Sequence, residues 1–416
     1  MNLPIRVAVV GGRRGATFAH SAQSLADKVT LAAVCDTNEK VLEPWRTQGV
    51  RCYNDYAKLL EDDAIDAVCL ATPMRLHARQ ALEAMAAGKH VLSEVAAACT
   101  MEECWDLVRA VERGSLTYMM AENCCFWRDA MMVGEMVRRG VFGELISAEG
   151  DYLHDCRELL LDADGTINWR GESRRDDFCN DYPTHSLGPV CKWLGINETD
   201  GLATTATWNS GSFATAAYMR RNLGAEHALC EPTQWRLPDH VVTLIRTRRG
   251  VLVKHCLDHS SPRPGAVPEI AGAAPTVARR SHSTNRYALQ GTHAAFTSNI
   301  TPDLEPLIWI EDRSPTKANG IAEEWEPLYT YADEFEHPLW RQYGHEAIKA
   351  GHRGGDYFLL MEFADAIIEG RPPLIDVYDA VTWSSIMPLS AISLQNNNMS
   401  VEVPNFKSGY DHPGSP

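Results

Sequence analysis

The chain has 416 residues, of which 45 % are apolar and 23 % are charged. These values are typical of a folded protein with two domains and exclude a disordered or fibrous chain. The 39 Lys and Arg residues against 55 Asp and Glu give a net charge of −16, which disfavours binding to nucleic acid or to an anionic membrane surface. No apolar run approaches the ~20 residues that span a bilayer, and a strand pattern begins too early for a signal peptide. We therefore expect a cytoplasmic protein.

The cysteine pattern agrees with this compartment. None of the twelve cysteines belongs to a C-x-x-C pair, and several lie within apolar runs, so we expect most of them to be reduced core residues. The adjacent Cys124 and Cys125 can be interpreted as a metal or redox site. Neighbouring residues point to opposite sides of a strand, however, so we expect no metal here.

The first third of the chain alternates between apolar runs and helical stretches. The apolar runs lie at 5–10, 30–35, 67–71, 89–94 and 116–122. The helical stretches lie at 16–25, 76–87 and 101–112. This alternation predicts a parallel sheet with right-handed helical crossovers, and hence a Rossmann dinucleotide-binding domain over residues 1–123.

A glycine-rich turn joins the first run to the first helical stretch. Such a turn lets a pyrophosphate approach the backbone and the positive end of a helix, so Gly12, Arg13 and Gly15 are candidate cofactor-binding residues. Asp36 ends the second run, where a carboxylate accepts the hydroxyls of an adenosine ribose and repels a 2′-phosphate, which favours NAD over NADP. Val10 stands where G-x-G-x-x-G has its first glycine, so a merely structural turn stays open.

Other candidates follow the later strands. Ligands of parallel sheets bind beyond the carboxyl ends of the strands. The residues found there are Thr72, His77, Glu94 and Asn123 as cofactor-binding candidates and Glu122 as a substrate-binding candidate.

The regular alternation stops at about residue 124. Strand candidates at 145–154, 203–208, 240–246 and 251–258 have few helices between them, and helix candidates follow at 357–368 and 377–394. We predict an α+β domain over residues 124–416 with a large, mostly antiparallel open sheet and helices on one face. Residues 259–285 and 301–345 are expected to be long surface excursions of undetermined role.

Two pairs of tyrosine and histidine are candidate catalytic residues of this second domain. Tyr152 and His154 stand at i and i+2 of a strand and so leave the same face. Tyr182 and His185 stand three apart at the start of a probable helix, close enough to converge. Core or surface roles for each of these residues stay open.

Two further clusters are less specific. Trp169 and Arg170 combine a flat apolar surface with a fixed cation, which suits a sugar ring and its hydroxyls, although a structural stack is an equal alternative. His352 and Asp356 flank two glycines at a helix start, and a helix cap is the favoured interpretation.

These segments carry a family resemblance. A Rossmann half containing Ala-Thr-Pro at 71–73 and Gly-Lys-His-Val at 88–91 resembles the Gfo/Idh/MocA oxidoreductases. That superfamily has Glu-Lys-Pro with a catalytic lysine where this chain has Glu94-Val95-Ala96. The residues from Glu94 to Trp105, Tyr152-x-His154, Trp169-Arg170, and the segments 182–189 and 376–390 resemble instead the NAD-dependent glycosidases of glycoside hydrolase family 109, the α-N-acetylgalactosaminidase type.

The resemblance implies a redox-assisted elimination. NAD⁺ takes hydride from C3 of the sugar, a base removes the C2 proton, the aglycone leaves C1, water adds, and the hydride returns. Tyr152 matches the position of the base, and His154 and His185 would orient hydroxyls or shuttle protons. A tyrosine needs positive neighbours, such as Arg170, to act as a base at neutral pH.

Two departures and two alternatives accompany the resemblance. Gly265 stands where the family has a tyrosine, and an apparent insertion runs to about Arg280, so N-acetylgalactosamine, another hexoside and a modified sugar are all candidate substrates. The first alternative is an NAD(P)-dependent sugar or polyol dehydrogenase, and the second is a nucleotide-binding protein without catalysis. By analogy we expect a homo-oligomer, a dimer or larger.

Overall fold

The computed structural model describes residues 3–263, 283–298, 304–316 and 323–407. Contacts divide the chain into two compact units. The first unit contains Met1–Met131, His337–Ser385 and the segment from Asn405, and the second contains Met132–Glu336 and Ile386–Pro404. The predicted division at residue 123 differs from this one, because the chain returns to the first unit after residue 336.

A six-stranded parallel sheet forms the centre of the first unit. Its strands are β1 Ile5–Val10, β2 Val29–Cys35, β3 Arg51–Tyr53, β4 Ala67–Leu70, β5 His90–Ser93 and β6 Tyr118–Met120. The helices between them are α1 Ala16–Ser24, α2 Glu39–Thr47, α3 Tyr56–Leu60, α4 His77–Ala86 and α5 Met101–Glu112. The strand order β3-β2-β1-β4-β5-β6 is that of dinucleotide-binding Rossmann domains, which confirms the predicted fold of this half.

The second unit is built on a nine-stranded sheet in the order β14-β13-β12-β11-β7-β10-β9-β8-β15. Its strands are β7 Leu145–His154, β8 Leu202–Asn209, β9 His240–Thr247, β10 Leu252–Asp258, β11 Ser283–Gly291, β12 Ala294–Thr297, β13 Leu307–Ile310, β14 Glu326–Pro327 and β15 Val401–Glu402. β7 and β10 pair in parallel, and the other neighbours pair antiparallel. The predicted mostly antiparallel sheet is confirmed.

Helices accompany both units. Those that lie in the chain between β6 and residue 336 are α6 Arg128–Arg138, α7 Trp169–Asp176, α8 Thr184–Trp193, α9 Phe213–Leu223 and α10 Ala332–Phe335. They are followed by α11 Pro338–Ala347, α12 Gly355–Glu369, α13 Val377–Ser384 and α14 Ile386–Gln395. In the first unit α12 packs on α1, and in the second unit α14 packs on β8.

Three expectations need correction or fall outside the described residues. The predicted helix 377–394 is interrupted between α13 and α14, because Pro388 lacks an N–H and in an unbroken helix its ring would clash with the carbonyl of Ser384, four residues earlier. The predicted excursion 301–345 contains β13, β14, α10 and most of α11. Of the excursion 259–285, residues 264–282 lie outside the described residues, and so do Gly265 and Arg280.

The burial of the cysteines agrees with the prediction from the sequence. Eight of the twelve cysteines are buried, as predicted for core thiols. Within the described residues, no helix combines the length and the apolar character needed to cross a bilayer.

A fully buried histidine fixes the segment before α8. The amide of Asn180 donates to Nδ1 of His255 at 2.9 Å. The proton on Nε2 is therefore free to bond the Pro183 carbonyl oxygen at 3.2 Å, and the Ser186 hydroxyl lies 2.7 Å from the same nitrogen. This network places the first turn of α8 against the sheet.

We expect His255 to make the fold sensitive to acid. Burial lowers its pKa from 6.5 to about 4. Between these values the unfolded chain binds more protons than the folded chain, so stability is lost as the pH falls through this window, by about 3 kcal/mol. Urea unfolding at pH 7 and pH 4 measures the loss. His255→Gln removes the titration and should reduce the difference by that amount, and an equal pH dependence in both proteins would contradict the assignment.

Candidate functional site

The turn after β1 is built for close approach of a ligand to the backbone. Gly11 has φ +93°, and a Cβ there would lie 2.4 Å from the Ala71 carbonyl oxygen, so only glycine fits. α1 begins directly after the turn, and Gly15 offers no side-chain cap to its first N–H groups. Those donors and the helix dipole suit a pyrophosphate. Gly11 was not among the predicted residues, because the motif was aligned on Gly12 and Gly15.

Asp36 lies beside this turn. Its Oδ2 accepts a hydrogen bond from the backbone N–H of Gly12 at 2.9 Å, and its Oδ1 accepts one from Asn38 N–H at 2.8 Å. The half-buried carboxylate is therefore fixed at the end of β2, where dinucleotide-binding sheets bind the adenosine ribose. The glycine turn and this carboxylate together fit NAD.

A buried charge cluster follows the turn, and it uses Arg14 rather than Arg13. Arg13 is exposed. Arg14 forms ion pairs with Asp356 at 2.9 Å and with Glu94 at 2.6 Å, and the amide of Asn123 donates to Asp356 at 3.0 Å. The predicted Glu94 and Asn123 therefore meet around two residues that were not predicted for this site.

Asp356 does not cap α12, which corrects the favoured interpretation of this cluster. The helix begins at Gly355 without a side-chain cap, and the fully buried carboxylate instead accepts from Nδ1 of His352 at 2.8 Å. Burial alone would raise the pKa of Asp356, but the bond from His352 and the charge and bonds of Arg14 outweigh burial and hold this pKa well below its usual range. Asp356 is therefore an anion at neutral pH.

Three other predicted residues make local contacts that shape loops of the first unit. The ring nitrogens of His77 lie 2.9 Å from the Ala96 carbonyl oxygen and 2.8 Å from that of Thr72. His77 thus ties the loop after β4 to the loop after β5. The carboxylate of Glu122 accepts from Cys124 N–H at 3.2 Å and caps the turn at Asn123–Phe126.

An aromatic cluster surrounds Tyr152 in the second unit. The Tyr152 hydroxyl and Nδ1 of His154 share a hydrogen bond of 2.7 Å. The centroid of the Tyr152 ring lies 5.6 Å from that of Tyr182 and 5.1 Å from that of His185. The other three predicted catalytic side chains therefore all contact Tyr152, which is 8 % exposed.

Close packing of α8 on β7 brings the two pairs together. A Cβ on Gly150 would lie 2.3 Å from the Ser186 carbonyl oxygen, so the absence of a side chain permits this approach. The Tyr287 hydroxyl of β11 donates to the His185 carbonyl oxygen at 2.6 Å. The backbone of the first turn of α8 is held from two strands.

His259 completes the cluster and was not predicted as a site residue. Its ring centroid lies 5.2 Å from that of Tyr152, with the rings at 89°, and 5.6 Å from that of Tyr182. Its Nδ1 lies 3.5 Å from Oδ1 of Asp181. Burial lowers the pKa of His259, although Asp181 opposes this. Asp181 stands next to Tyr182 in the sequence, but the strand pairing that brings His259 there is not visible in the sequence.

Trp169 and Arg170 lie in the first turn of α7. The Arg170 guanidinium stacks 4.2 Å from the centroid of the Trp169 ring, and the Trp169 side chain is 38 % exposed. Asn168 caps the helix by accepting from the N–H of Arg170. The stack leaves an aromatic surface accessible.

Comparison with known proteins finds two family models that match successive parts of the chain. Residues 5–122 match the family model described as oxidoreductase family, NAD-binding Rossmann fold. Residues 126–411 match the model described as glycosyl hydrolase 109, C-terminal domain. The first domain is therefore an NAD-binding domain of the Gfo/Idh/MocA type.

Individual relatives cover nearly the whole chain. A glycosyl hydrolase family 109 protein of Solibacter usitatus is 33 % identical over 98 % of this chain and 89 % of its own, and one of Shewanella putrefaciens is 33 % identical over 97 % and 85 %. Among solved structures, levoglucosan dehydrogenase in complex with NADH and levoglucosan has a TM-score of 0.74 at 20 % identity, covering 97 % of this chain and 100 % of that chain. The chain belongs to glycosyl hydrolase family 109.

Proposed function

We propose that the protein is an NAD-dependent glycoside hydrolase that cleaves its substrate through transient oxidation of C3 of the sugar. The observation that carries the proposal is the Tyr152 hydroxyl, hydrogen-bonded to His154 within a cluster of tyrosine and histidine rings. Hydrolysis by acid and nucleophile needs two carboxyl groups flanking the bond. The group at the centre of this cluster is instead a tyrosine hydroxyl.

The first unit supplies the cofactor site. The turn at Gly11, the N-terminus of α1 and the carboxylate of Asp36 would hold the dinucleotide. When bound, the dinucleotide accepts a hydride from C3 and later returns it, so that no net oxidation occurs.

The second unit supplies proton transfer. A ketone at C3 acidifies the C2 proton, and Tyr152 removes it while its own proton is accepted by His154. Loss of the C2 proton expels the aglycone from C1, and water then adds to the unsaturated ketone. Tyr182 and His185 lie against Tyr152 and bind the sugar hydroxyls. Trp169 and Arg170 offer a stacking surface for the ring.

Analysis of the products formed in D₂O tests the proposal. The holoenzyme is incubated in D₂O with aryl glycosides of both anomeric forms, including those of N-acetylgalactosamine. We expect release of the aryl alcohol, incorporation of deuterium at C2, and no accumulation of reduced dinucleotide. Cleavage with complete retention of the C2 proton would exclude this route.

A sugar or polyol dehydrogenase is the second candidate. It is favoured by the fold shared with levoglucosan dehydrogenase, whose structure contains NADH and levoglucosan. The sequence lacks the lysine of such enzymes, since Val95 follows Glu94. Accumulation of reduced dinucleotide with free sugars, without cleavage of any glycoside, would favour this candidate.

Asp36 provides a prediction about cofactor choice. Its carboxylate is fixed by the N–H groups of Gly12 and Asn38, and it would bind ribose hydroxyls while repelling a 2′-phosphate. We expect Asp36→Ala to weaken NAD binding and to reduce the preference for NAD over NADP, by about tenfold or more. Titration calorimetry with both dinucleotides measures the ratio. Asp27→Ala, on the loop after α1, is the control, and an unchanged ratio in Asp36→Ala would contradict the assignment.

We further infer a homo-oligomer. Trp208, Leu244 and Leu252 are 45 %, 37 % and 49 % exposed and lie on one face of β8, β9 and β10, as the strand registers show. The same registers place Arg246 and Lys254 on this face, and large exposed apolar side chains on a sheet face are typical of subunit interfaces. Light scattering should show a dimer or larger species, and Leu244→Glu should yield monomers. A monomeric wild-type protein would exclude the interface.

A further inference from the structure

We propose that His259, held by Asp181, is a second general base of the site, and that it takes the proton of the sugar hydroxyl that is oxidised. The inference rests on the proposed function only in its use of an alcohol oxidation, which the dehydrogenase candidate shares. It assigns two bases to two different protons: His259 to the hydroxyl proton and Tyr152 to the proton on carbon.

The geometry separates His259 from the other histidines of the cluster. His154 is engaged by the Tyr152 hydroxyl, whereas Nδ1 of His259 faces the carboxylate of Asp181 at 3.5 Å. No described residue hydrogen-bonds to Nε2 of His259, and this nitrogen is not among the buried polar atoms without a partner. The 3.5 Å contact is longer than an ordinary hydrogen bond, but Oδ1 of Asp181 has no hydrogen-bond partner among the described residues. It therefore favours a proton on Nδ1 and leaves the lone pair of the other nitrogen for a substrate.

The backbone around the pair is rigid. Arg174 of α7 donates to the Ser260 hydroxyl at 2.7 Å and to the His259 carbonyl oxygen at 3.3 Å, and its own side chain is buried. The N–H of Cys156 also donates to the His259 carbonyl oxygen, at 2.9 Å. The residue is thus fixed from α7 and from the segment after β7.

The protonation state suits a base. Burial and the charge of Arg174 lower the pKa of His259, while Asp181 and Asp258 raise it, and the net shift is downward. The pKa of Asp181 is also lowered, because the effects of His259 and Arg174 exceed that of burial. The pair is therefore a neutral imidazole beside a carboxylate at neutral pH. Of the residues that the structure describes, Tyr152 and Tyr182 also place their rings against His259.

The step balances as an alcohol oxidation. The hydroxyl O–H bond breaks and its proton goes to Nε2 of His259. The hydride leaves the same carbon for the two-electron oxidant of the proposed reaction, the nicotinamide dinucleotide, and the C–O bond becomes a carbonyl. On the reverse step the imidazolium returns its proton to the oxygen.

Single-turnover kinetics separates the two bases. Holoenzyme is mixed with excess sugar substrate, formation of reduced dinucleotide is followed by absorbance, and exchange of the C2 proton in D₂O is followed by mass spectrometry. We expect His259→Gln to slow the oxidation by about 10²-fold or more. Tyr152→Phe should lose the C2 exchange, because it lacks the hydroxyl that takes the proton on carbon. His227→Asn, an exposed histidine that caps a short turn through Nδ1, is the control and should change neither rate.

Asp181→Asn should change two measurements that would stay the same if Asp181 and His259 had only a structural role: the pH dependence of the oxidation rate and the tautomer of the His259 ring. Without the carboxylate, the pKa of His259 falls further, so the acid limb of the oxidation rate should move to lower pH while the maximal rate drops. In the dinucleotide-free protein, ¹⁵N NMR of the His259 ring should show the Nδ1–H tautomer in the wild type and a mixture in Asp181→Asn. Dinucleotide affinity and thermal melting confirm that each variant is folded.

The outcomes distinguish this inference from the proposed function. If the wild type oxidises sugars and His259→Gln does so slowly, but no glycoside is cleaved, the hydrolase proposal fails and the role of His259 stands. If folded His259→Gln oxidises at the wild-type rate, or the tautomer is the same in Asp181→Asn, the role of His259 is overturned even when glycosides are cleaved.

Discussion

Replacing Tyr152 with phenylalanine is expected to lower kcat for glycoside cleavage by about 10²–10⁴-fold, the range that a positioned base contributes. The substitution removes the hydroxyl that bonds to His154 and keeps the ring that packs against Tyr182 and His185. NAD affinity should be unchanged, because the dinucleotide-binding residues belong to the first unit. Release of the aryl alcohol and exchange at C2 measure the effect.

Tyr331→Phe is a matched control for this substitution. Tyr331 is 9 % exposed, against 8 % for Tyr152, and its hydroxyl also makes a 2.7 Å hydrogen bond, to Glu326. The loss of a buried bond is therefore similar in the two variants, while the aromatic cluster is altered only in Tyr152→Phe. Equal activity of the two variants would remove Tyr152 from the mechanism.

Asp356→Asn is expected to lower the free energy of unfolding by about 3 kcal/mol. The substitution leaves the guanidinium of Arg14 without one of its buried partners, which costs roughly 3–5 kcal/mol when a pair is broken in this way. The lower end applies because Arg14 keeps Glu94 at 2.6 Å. NAD binding should weaken as well, since Arg14 lies in the glycine turn. Urea unfolding and calorimetric titration with NAD measure the two effects.

Asp365→Asn is the control for Asp356→Asn. It makes the same substitution on the same helix, α12, but near the surface. Asp365 pairs with Lys28 at 2.6 Å, with side chains 23 % and 26 % exposed, whereas the Asp356 side chain is fully buried. A partly exposed pair contributes less than about 1 kcal/mol. Similar losses of stability in both variants would show that burial of the cluster around Arg14 has no special effect.

Much of the fold could be predicted, and the exceptions have physical reasons. β1 and β7 occupy the predicted residues because apolar and alternating runs leave few alternatives. α2 contains Pro44 and many charged residues, and β3 has three residues, so neither stands out as a pattern. The association of α12 and α13 with the first unit depends on contacts between distant parts of the chain, which local patterns do not encode.

The candidate site was predictable where spacing alone determines proximity. Tyr152 and His154 share a face because strands alternate, and Tyr182 and His185 converge because they lie within one turn. Arg14 and Asp356 are 342 residues apart, and no spacing rule connects them. His259 reaches Tyr152 only because β10 pairs with β7 in parallel. Local patterns are compatible with several other pairings of these strands, so they do not predict this one.

The late return of the chain to its first unit has a consequence for biosynthesis. The ribosome synthesises β1 to β6 long before α12. The ion pair between Arg14 and Asp356 therefore cannot form until most of the polypeptide has been made. Nascent chains that stop before α12 would therefore have an incomplete nucleotide fold, in which Arg14 lacks Asp356 and keeps its pairing with Glu94, and chaperones and proteases recognise partly folded chains of this kind. For the same reason, the N-terminal segment cannot be transplanted alone as a cofactor module; a functional graft needs α12 and α13 as well.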